Sequence, residues 1–106
     1  MPQFIVEDLP TKEPMSGFKG KFVHSDNMSV AHWRIAVNAM APLHAHPHEQ
    51  VTMVVEGEFE LTIAGETMAL KPGVVAVIPP DVEHSGIAIT ECHLIDIFYP
   101  VREDYR

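Results

Sequence analysis

The chain has 106 residues, of which 46% are hydrophobic and 21% are charged, and its formal net charge is −8. This length and composition predict one soluble globular domain and exclude a disordered chain. The acidic excess opposes binding to nucleic acid or to an anionic membrane surface, and no apolar run approaches the ~20 residues of a membrane span. The single cysteine, Cys92, excludes an intrachain disulfide and is typical of a reducing compartment. We therefore expect a cytoplasmic protein.

The N-terminal segment, residues 1–19, shows no sustained periodicity and contains Pro2, Pro10 and Pro14. Prolines at this density interrupt regular structure. We predict that this segment is an arm laid over the domain surface, with a short strand at Gln3 to Val6. Residues 20–106 are predicted to form the folded domain.

After the arm, the chain becomes a series of short segments rich in β-branched and apolar residues, separated by turn signals such as Ala64-Gly65. No segment has the length and period of an α-helix. Many short strands at near-regular spacing predict an all-β fold, an antiparallel barrel or sandwich. The predicted strands are Lys21 to His24, Met28 to Val37, His48 to Glu56, Glu58 to Ala64, Glu66 to Leu70, Val74 to Ile78 and Glu91 to Tyr99.

The last predicted strand is apolar on both faces. Cys92, Leu94, Asp96 and Phe98 share one face, and His93, Ile95, Ile97 and Tyr99 share the other. If the first face lines a barrel, the second is an apolar outer surface. Such a surface on a small chain favours a partner subunit, so we expect a homodimer.

A histidine-rich stretch, Pro42 to Gln50, precedes a predicted strand. Side chains two residues apart on a strand point to the same face, so His44 and His46 can bind one metal ion together. His48 is expected to face solvent or a neighbouring loop. A single His-x-His pair is weak evidence, because surface strands carry histidine freely.

The sequence resembles the cupins, small β-barrel proteins with two signature motifs. The first motif matches Asn38, His44, His46, Gln50 and Gly57, and the second matches Gly73, Pro79, Asp81, His84 and Ala88. Asn38 and Asp81 replace glycines, a mild change because Asn and Asp tolerate the left-handed conformation. Gln50 replaces a ligand Glu, although Glu49 lies one residue earlier. The resemblance implies a jelly-roll barrel that holds a divalent metal ion (Zn, Ni, Fe or Mn).

A narrower resemblance covers roughly residues 20 to 106. The run from His44 to Gln50 and the tail from Asp96 to Tyr105 are similar to small single-domain cupins of the KdgF group. That group converts 4,5-unsaturated uronates from pectin and alginate into linear keto-uronates. The resemblance implies that the metal ligands are His44, His46, Gln50 and His84. It also implies that Asp96, Phe98 and Arg102 contribute to the active site.

Each of these residues also has a purely structural interpretation. Gln50 either ligates the metal through its amide oxygen or hydrogen-bonds a metal-bound water. Asp96 is a proton donor with a raised pKa or a structural carboxylate bonded to backbone amides. Arg102 binds a substrate carboxylate or pairs with Glu103 or Asp104. Phe98 would look the same as a pocket wall or a core residue.

Three functions are consistent with the sequence. The first is metal-assisted ring opening of a small anionic sugar, an unsaturated uronate, because a neutral Gln50 leaves the metal charge uncompensated and favours an anionic ligand. The second is an iron-dependent dioxygenase, because a His-rich cupin site can hold Fe(II) with open positions. The third is a non-catalytic sugar-binding or sensor module. One barrel hosts many chemistries, so fold alone does not choose among them.

Overall fold

The computed structural model describes residues 2–106, which form ten β-strands and two short 3₁₀ helices, Val6–Asp8 and Glu103–Tyr105. No helix in this range has the length and apolarity needed to cross a membrane. The strands are β1 (Lys12–Met15), β2 (Phe18–His24), β3 (Ser29–Ile35), β4 (Met40–His44), β5 (Glu49–Glu56), β6 (Phe59–Ile63), β7 (Glu66–Leu70), β8 (Val75–Ile78), β9 (His84–Ala88) and β10 (Cys92–Tyr99).

The strands form two antiparallel sheets, as the strand pattern predicts. One sheet has the order β1-β2-β3-β10-β5-β8, and the other has the order β4-β9-β6-β7. Apolar side chains from the inner faces of both sheets fill the space between them, where the rings of Phe18 and Phe59 meet edge to face at 6.4 Å. The all-β, jelly-roll prediction is confirmed. The larger core residues are Phe18, Trp33, Ile35, Val54, Phe59, Leu61, Leu70, Ile78, Leu94 and Phe98.

One prediction for the N-terminal segment, its short strand, differs from the structure. The strand predicted at Gln3 to Val6 is wrong, because this stretch is irregular until the 3₁₀ helix and leaves Phe4 and Ile5 exposed. The strand of this segment is β1, which pairs antiparallel with β2. Pro14 lies within β1, and because proline argues against a strand, the sequence pattern does not predict β1. An edge strand tolerates proline because one side of its backbone has no ladder partner.

Two strands of the smaller sheet, β4 and β9, have no counterpart among the predicted strands. Both carry residues that weaken a strand signal, Pro42 in β4 and Gly86 in β9. Gly86 is required by packing, because a Cβ atom there would collide with the ring of Phe59. β4 ends at His44, and the chain then leaves the sheet before β5 begins. His44 and His46 therefore do not share a strand, and the geometric reason given for their pairing is wrong.

Turn geometry agrees with the sequence. Ala64 and Gly65 join β6 to β7 with φ of 49° and 83°, the two positive values of a tight type I′ hairpin. Asn38 and Asp81, which replace the motif glycines, adopt φ of 68° and 64°. These residues take the left-handed conformation that glycine would provide.

The strand β10 lies at the centre of the larger sheet and alternates as predicted. Cys92, Leu94, Asp96 and Phe98 are buried, whereas the other four side chains are half-buried or exposed on the outer face. β10 pairs with β3 on one side and with β5 on the other. Asp96 is therefore opposite Thr52 of β5, and this pairing builds much of the candidate site.

Candidate metal centre and active site

Three histidines from separate parts of the fold meet at one end of the barrel. His44 is the last residue of β4, His84 is the first of β9, and the two are paired across these strands. His46 lies in the connection from β4 to β5. One ring nitrogen from each residue lies within 4.8 Å of the others. Exposure falls from His44 through His46 to His84, which is buried, so the cluster opens to solvent on one side.

Each of these rings is oriented by a backbone carbonyl. Nδ1 of His44, His46 and His84 contacts a carbonyl oxygen, which can only accept, so Nδ1 carries the proton and donates. Nε2 is then an unprotonated lone pair, the form that binds metals. The acceptors are the carbonyls of Pro42, His48 and Val82, at 2.6, 3.0 and 2.9 Å respectively.

Two observations show that the cluster fits a cation. Nε2 of His84 is buried and has no hydrogen-bond partner among residues 2–106. Nε2 of His46 lies 3.0 Å from Oε1 of Gln50, and in the assigned tautomer both atoms are acceptors. A cation between these lone pairs removes their repulsion. Three imidazoles and an amide oxygen suit a divalent transition metal.

The pKa values of the cluster favour neutral rings. Burial lowers the pKa of His84, and neighbouring positive charge lowers it further. Burial and the charge of Arg102 likewise lower the pKa of His46. Both rings therefore lose their second proton more readily than a free imidazole, which favours metal binding near neutral pH.

Gln50 connects the histidines to a buried carboxylate. Its side-chain nitrogen donates to Oγ1 of Thr52 at 2.9 Å and to Oδ1 of Asp96 at 3.0 Å. These donations fix the amide so that Oε1 faces His46. Glu49, on the other face of β5, is exposed, so Gln50 rather than Glu49 faces the cluster.

Asp96 accepts three side-chain hydrogen bonds and none from backbone amides among the described residues. The donors are Thr52 Oγ1 at 2.5 Å, Gln50 Nε2 and Trp33 Nε1 at 3.0 Å. Burial raises the pKa of Asp96, although these bonds and the charge of Arg102 oppose the shift. The carboxyl group therefore keeps a proton to higher pH than a solvated aspartate does.

Arg102 and Phe98 complete the cavity. The guanidinium carbon of Arg102 lies 4.6 Å from the ring centroid of Phe98, and both residues line the same cavity as the three histidines and Asp96. Nε and Nη2 of Arg102 donate to the two oxygens of Asp104 at 3.0 and 2.8 Å. Arg102 thus faces the site while it pairs with a neighbour.

The structure gathers all seven residues singled out by the sequence around this cavity. His48 lies outside the group of His44, His46 and His84, although its ring is 5.4 Å from that of His46. Trp33, Thr52 and Tyr105 also line the cavity and were not singled out. Thr52 could have been found, because it lies two residues after Gln50 on one strand and therefore on the same face. Trp33 and Tyr105 carry no local signal. Trp33 is placed by the pairing of β3 with β10, and Tyr105 by the anchoring of the C-terminal 3₁₀ helix to the sheet.

Comparisons with known proteins agree with this geometry. Residues 31–98 match the family model described as "Cupin domain". The chain is 32% identical to the pectin degradation protein KdgF of Dickeya dadantii over 105 residues, 96% of each chain. Its structure superposes on KdgF from Halomonas sp. with a TM-score of 0.93 and 28% identity, covering 100% of this chain and 99% of the other.

A third similar protein is an RmlC-like cupin from Shewanella frigidimarina. It matches with a TM-score of 0.92 and 31% identity over 97% of this chain and 94% of the other. The family match covers the two histidine motifs, and the relatives are similar in both sequence and fold over nearly their whole length. The chain belongs to the cupin family and, within it, to the group that includes KdgF.

Proposed function

We propose that this protein acts in pectin degradation by opening the ring of 4,5-unsaturated uronates with the help of a divalent metal ion. The observation that carries the proposal is the convergence of three histidines, Gln50, Asp96 and Arg102 on one cavity. The chain is similar over nearly its full length to KdgF, a pectin degradation protein, and this similarity supports a role in pectin degradation.

The charges of the cavity suit an anionic sugar. His44, His46, His84 and Gln50 are all neutral ligands, so a bound divalent ion would keep its full charge. Such an ion would attract a carboxylate and acidify a water molecule toward pKa ~7. Arg102 adds a second positive charge on the cavity wall. A uronate carboxylate would therefore be drawn to this end of the barrel.

Asp96 is the proposed proton donor. Ring opening requires a proton at C4 of the C4–C5 double bond and a water oxygen at C5, giving a hemiketal. The hemiketal hydroxyl then gives up its proton and the ring oxygen gains one as the bond between C5 and the ring oxygen breaks, which leaves a ketone at C5 and a hydroxyl on C1. Burial raises the pKa of Asp96, so its protonated form persists closer to neutral pH and can act as a general acid. Phe98 and Trp33 limit water on this side of the cavity.

The test is incubation of the zinc-, nickel-, iron- or manganese-loaded protein with unsaturated galacturonate. We expect accelerated loss of the ultraviolet absorbance of the conjugated double bond, equal with and without oxygen. Asp96→Asn, which keeps shape and most hydrogen bonds, should abolish the acceleration while leaving metal content unchanged. Decay at the buffer rate by metal-loaded native protein would refute the proposed reaction. A rate that requires oxygen would indicate a dioxygenase instead.

We also propose that two copies of the chain form a homodimer through the outer face of the larger sheet. Val55, Val75, Val77 and Tyr99 are exposed there, beside half-buried apolar residues of β10. An exposed apolar face of this kind is typical of protein contacts. Analytical ultracentrifugation should give twice the monomer mass, and Val75→Lys together with Val77→Lys should give a folded monomer. A monomeric native protein at micromolar concentration would contradict the proposal.

A further inference from the structure

One edge of the Arg102 guanidinium is held by the chain itself. Nε and Nη2 form a bidentate pair with the carboxylate of Asp104. Two aromatic rings pack against the guanidinium, with its central carbon 4.6 Å from the centroid of Phe98 and 4.2 Å from that of Tyr105. The side chain of Arg102 is only 9% exposed, whereas that of Asp104 is 58% exposed. The arginine is thus fixed within the protein by a residue at its surface.

A guanidinium has two edges that can each bind a carboxylate through a pair of N–H groups. One edge is formed by Nε and Nη2, and the other by Nη1 and Nη2. Asp104 occupies the first edge. Arg102 also lines the cavity that holds His46 and His84. The second edge is therefore the one that a carboxylate in the cavity can bind.

Anchors on either side of Asp104 fix the turn that carries it. Before it, the backbone nitrogen of Arg102 donates to Oγ of the fully buried Ser29 at 2.8 Å. After it, the carbonyl oxygen of Tyr105 accepts from Nζ of Lys12 at 3.0 Å and contacts Nε2 of His24 at 3.3 Å. Strands β1, β2 and β3 thus hold the C-terminal turn in place. A carboxylate on a fixed turn can orient its partner before any ligand arrives.

We propose that Asp104 is a positioning residue that holds one edge of Arg102 so that the other edge binds the carboxylate of an anionic sugar. This inference rests on the proposed function and adds a residue outside the metal and proton-donor set. Its opposite is a competitor role, in which Asp104 occupies Arg102 and must be displaced by the ligand. The two roles predict effects of opposite sign when Asp104 is replaced.

The magnitude follows from conformational entropy. Without Asp104, Arg102 samples several rotamers and must be ordered on binding, which weakens affinity by about 2- to 13-fold for one rotamer-rich side chain. Loss of a negative charge acts in the other direction by increasing attraction for anions. Glu103→Ala provides the matched control, because Glu103 belongs to the same turn and pairs at 3.5 Å with Arg106, not with Arg102.

The experiment measures binding and turnover by the zinc-loaded protein. Calorimetry with saturated galacturonate gives affinity without reaction, and neutral galactose reports on binding that does not use the carboxylate. Kinetics with unsaturated galacturonate give kcat and KM. Asp104→Ala and the more conservative Asp104→Asn are compared with Glu103→Ala, and circular dichroism verifies that each variant is folded.

We expect Asp104→Ala to bind galacturonate about 2- to 13-fold more weakly than Glu103→Ala does, with Asp104→Asn between them. Galactose binding should be equal in all three, and KM should rise while kcat changes by less than about twofold. Equal or tighter galacturonate binding by Asp104→Ala would overturn the positioning role, as would absence of galacturonate binding by the native protein. If native protein binds galacturonate but turns over no uronate, the proposed reaction fails while the binding comparison still decides the role of Asp104.

Discussion

Replacement of Thr52 by valine tests the polar network behind the histidine cluster. The Thr52 hydroxyl donates to Oδ1 of Asp96 at 2.5 Å and accepts from Nε2 of Gln50 at 2.9 Å. Thr52 is only 2% exposed, so water does not replace the hydroxyl. Valine has nearly the same shape, and the loss is therefore that of the hydrogen bonds. Leaving buried polar groups unsatisfied should lower the free energy of unfolding by about 1–3 kcal/mol.

The effect should depend on pH. A hydrogen bond to a carboxylate stabilises its charged form, so loss of the Thr52 hydroxyl raises the folded-state pKa of Asp96 further. Because the pKa of Asp96 is higher in the folded protein than its unfolded value of 3.8, the stability that its protonated form contributes is complete below pH 3.8. That stability is lost as pH rises through the folded-state pKa. The extra destabilisation by Thr52→Val should therefore be small near pH 4 and grow toward pH 7.

Urea unfolding of metal-free protein measures this directly, with fluorescence of Trp33, the single tryptophan, as the signal. Thr52→Ser is the control, because it keeps the hydroxyl and loses only a methyl group, worth about 0.8 kcal/mol. Its destabilisation should not vary with pH. Equal and pH-independent losses for the two variants would refute the assigned network.

Three further predictions concern the metal, the histidines and one turn. Zinc at 100 times its Kd should raise the free energy of unfolding of native protein by about 2.7 kcal/mol, measured in urea. His84→Ala should lose this stabilisation, whereas His93→Ala, outside the three-histidine cluster, should keep it. Because burial lowers the pKa of His46 and His84 from 6.5, the stability that these neutral rings contribute to metal-free protein is lost as pH falls through their folded values, against the opposite contribution of Asp96. From pH 7.5 to 5 the melting temperature of His84→Ala should therefore fall less, or rise more, than that of native protein, and parallel pH profiles would contradict this. Gly57→Ala should lower the free energy of unfolding more than Gly65→Ala does. Both positions carry the left-handed penalty of about 1–2 kcal/mol, but of the two only Gly57 has a backbone carbonyl that a Cβ atom would collide with. Equal urea midpoints for the two variants would contradict the clash.

Features that depend on neighbouring residues in the chain could be predicted from the amino-acid sequence alone. Alternation with a period of two identified the buried face of β10, including Asp96 and Phe98. Turn chemistry located the hairpin at Ala64 and Gly65. These signals are local, because side-chain direction along a strand and positive φ at a turn are set by adjacent residues. Motif resemblance added the metal-ligand set, with Gln50 in place of a glutamate.

Other features of the site depend on strand pairing, which no local sequence pattern contains. β4 and β9 form where proline and glycine weaken the strand signal, because their partners in the smaller sheet supply the hydrogen bonds. His44 and His84 meet because those strands are paired, not because His44 and His46 share a strand.

The remaining contacts join residues far apart in the chain. Trp33 reaches Asp96 from β3, and Asp104 reaches Arg102 because the last turn is anchored to β1, β2 and β3. Sequence spacing indicates which side chains share a face, whereas the pairing order of strands brings distant faces together. That order is fixed by burial of the whole core, which is why the candidate ligands could be named from the sequence and the network around them could not.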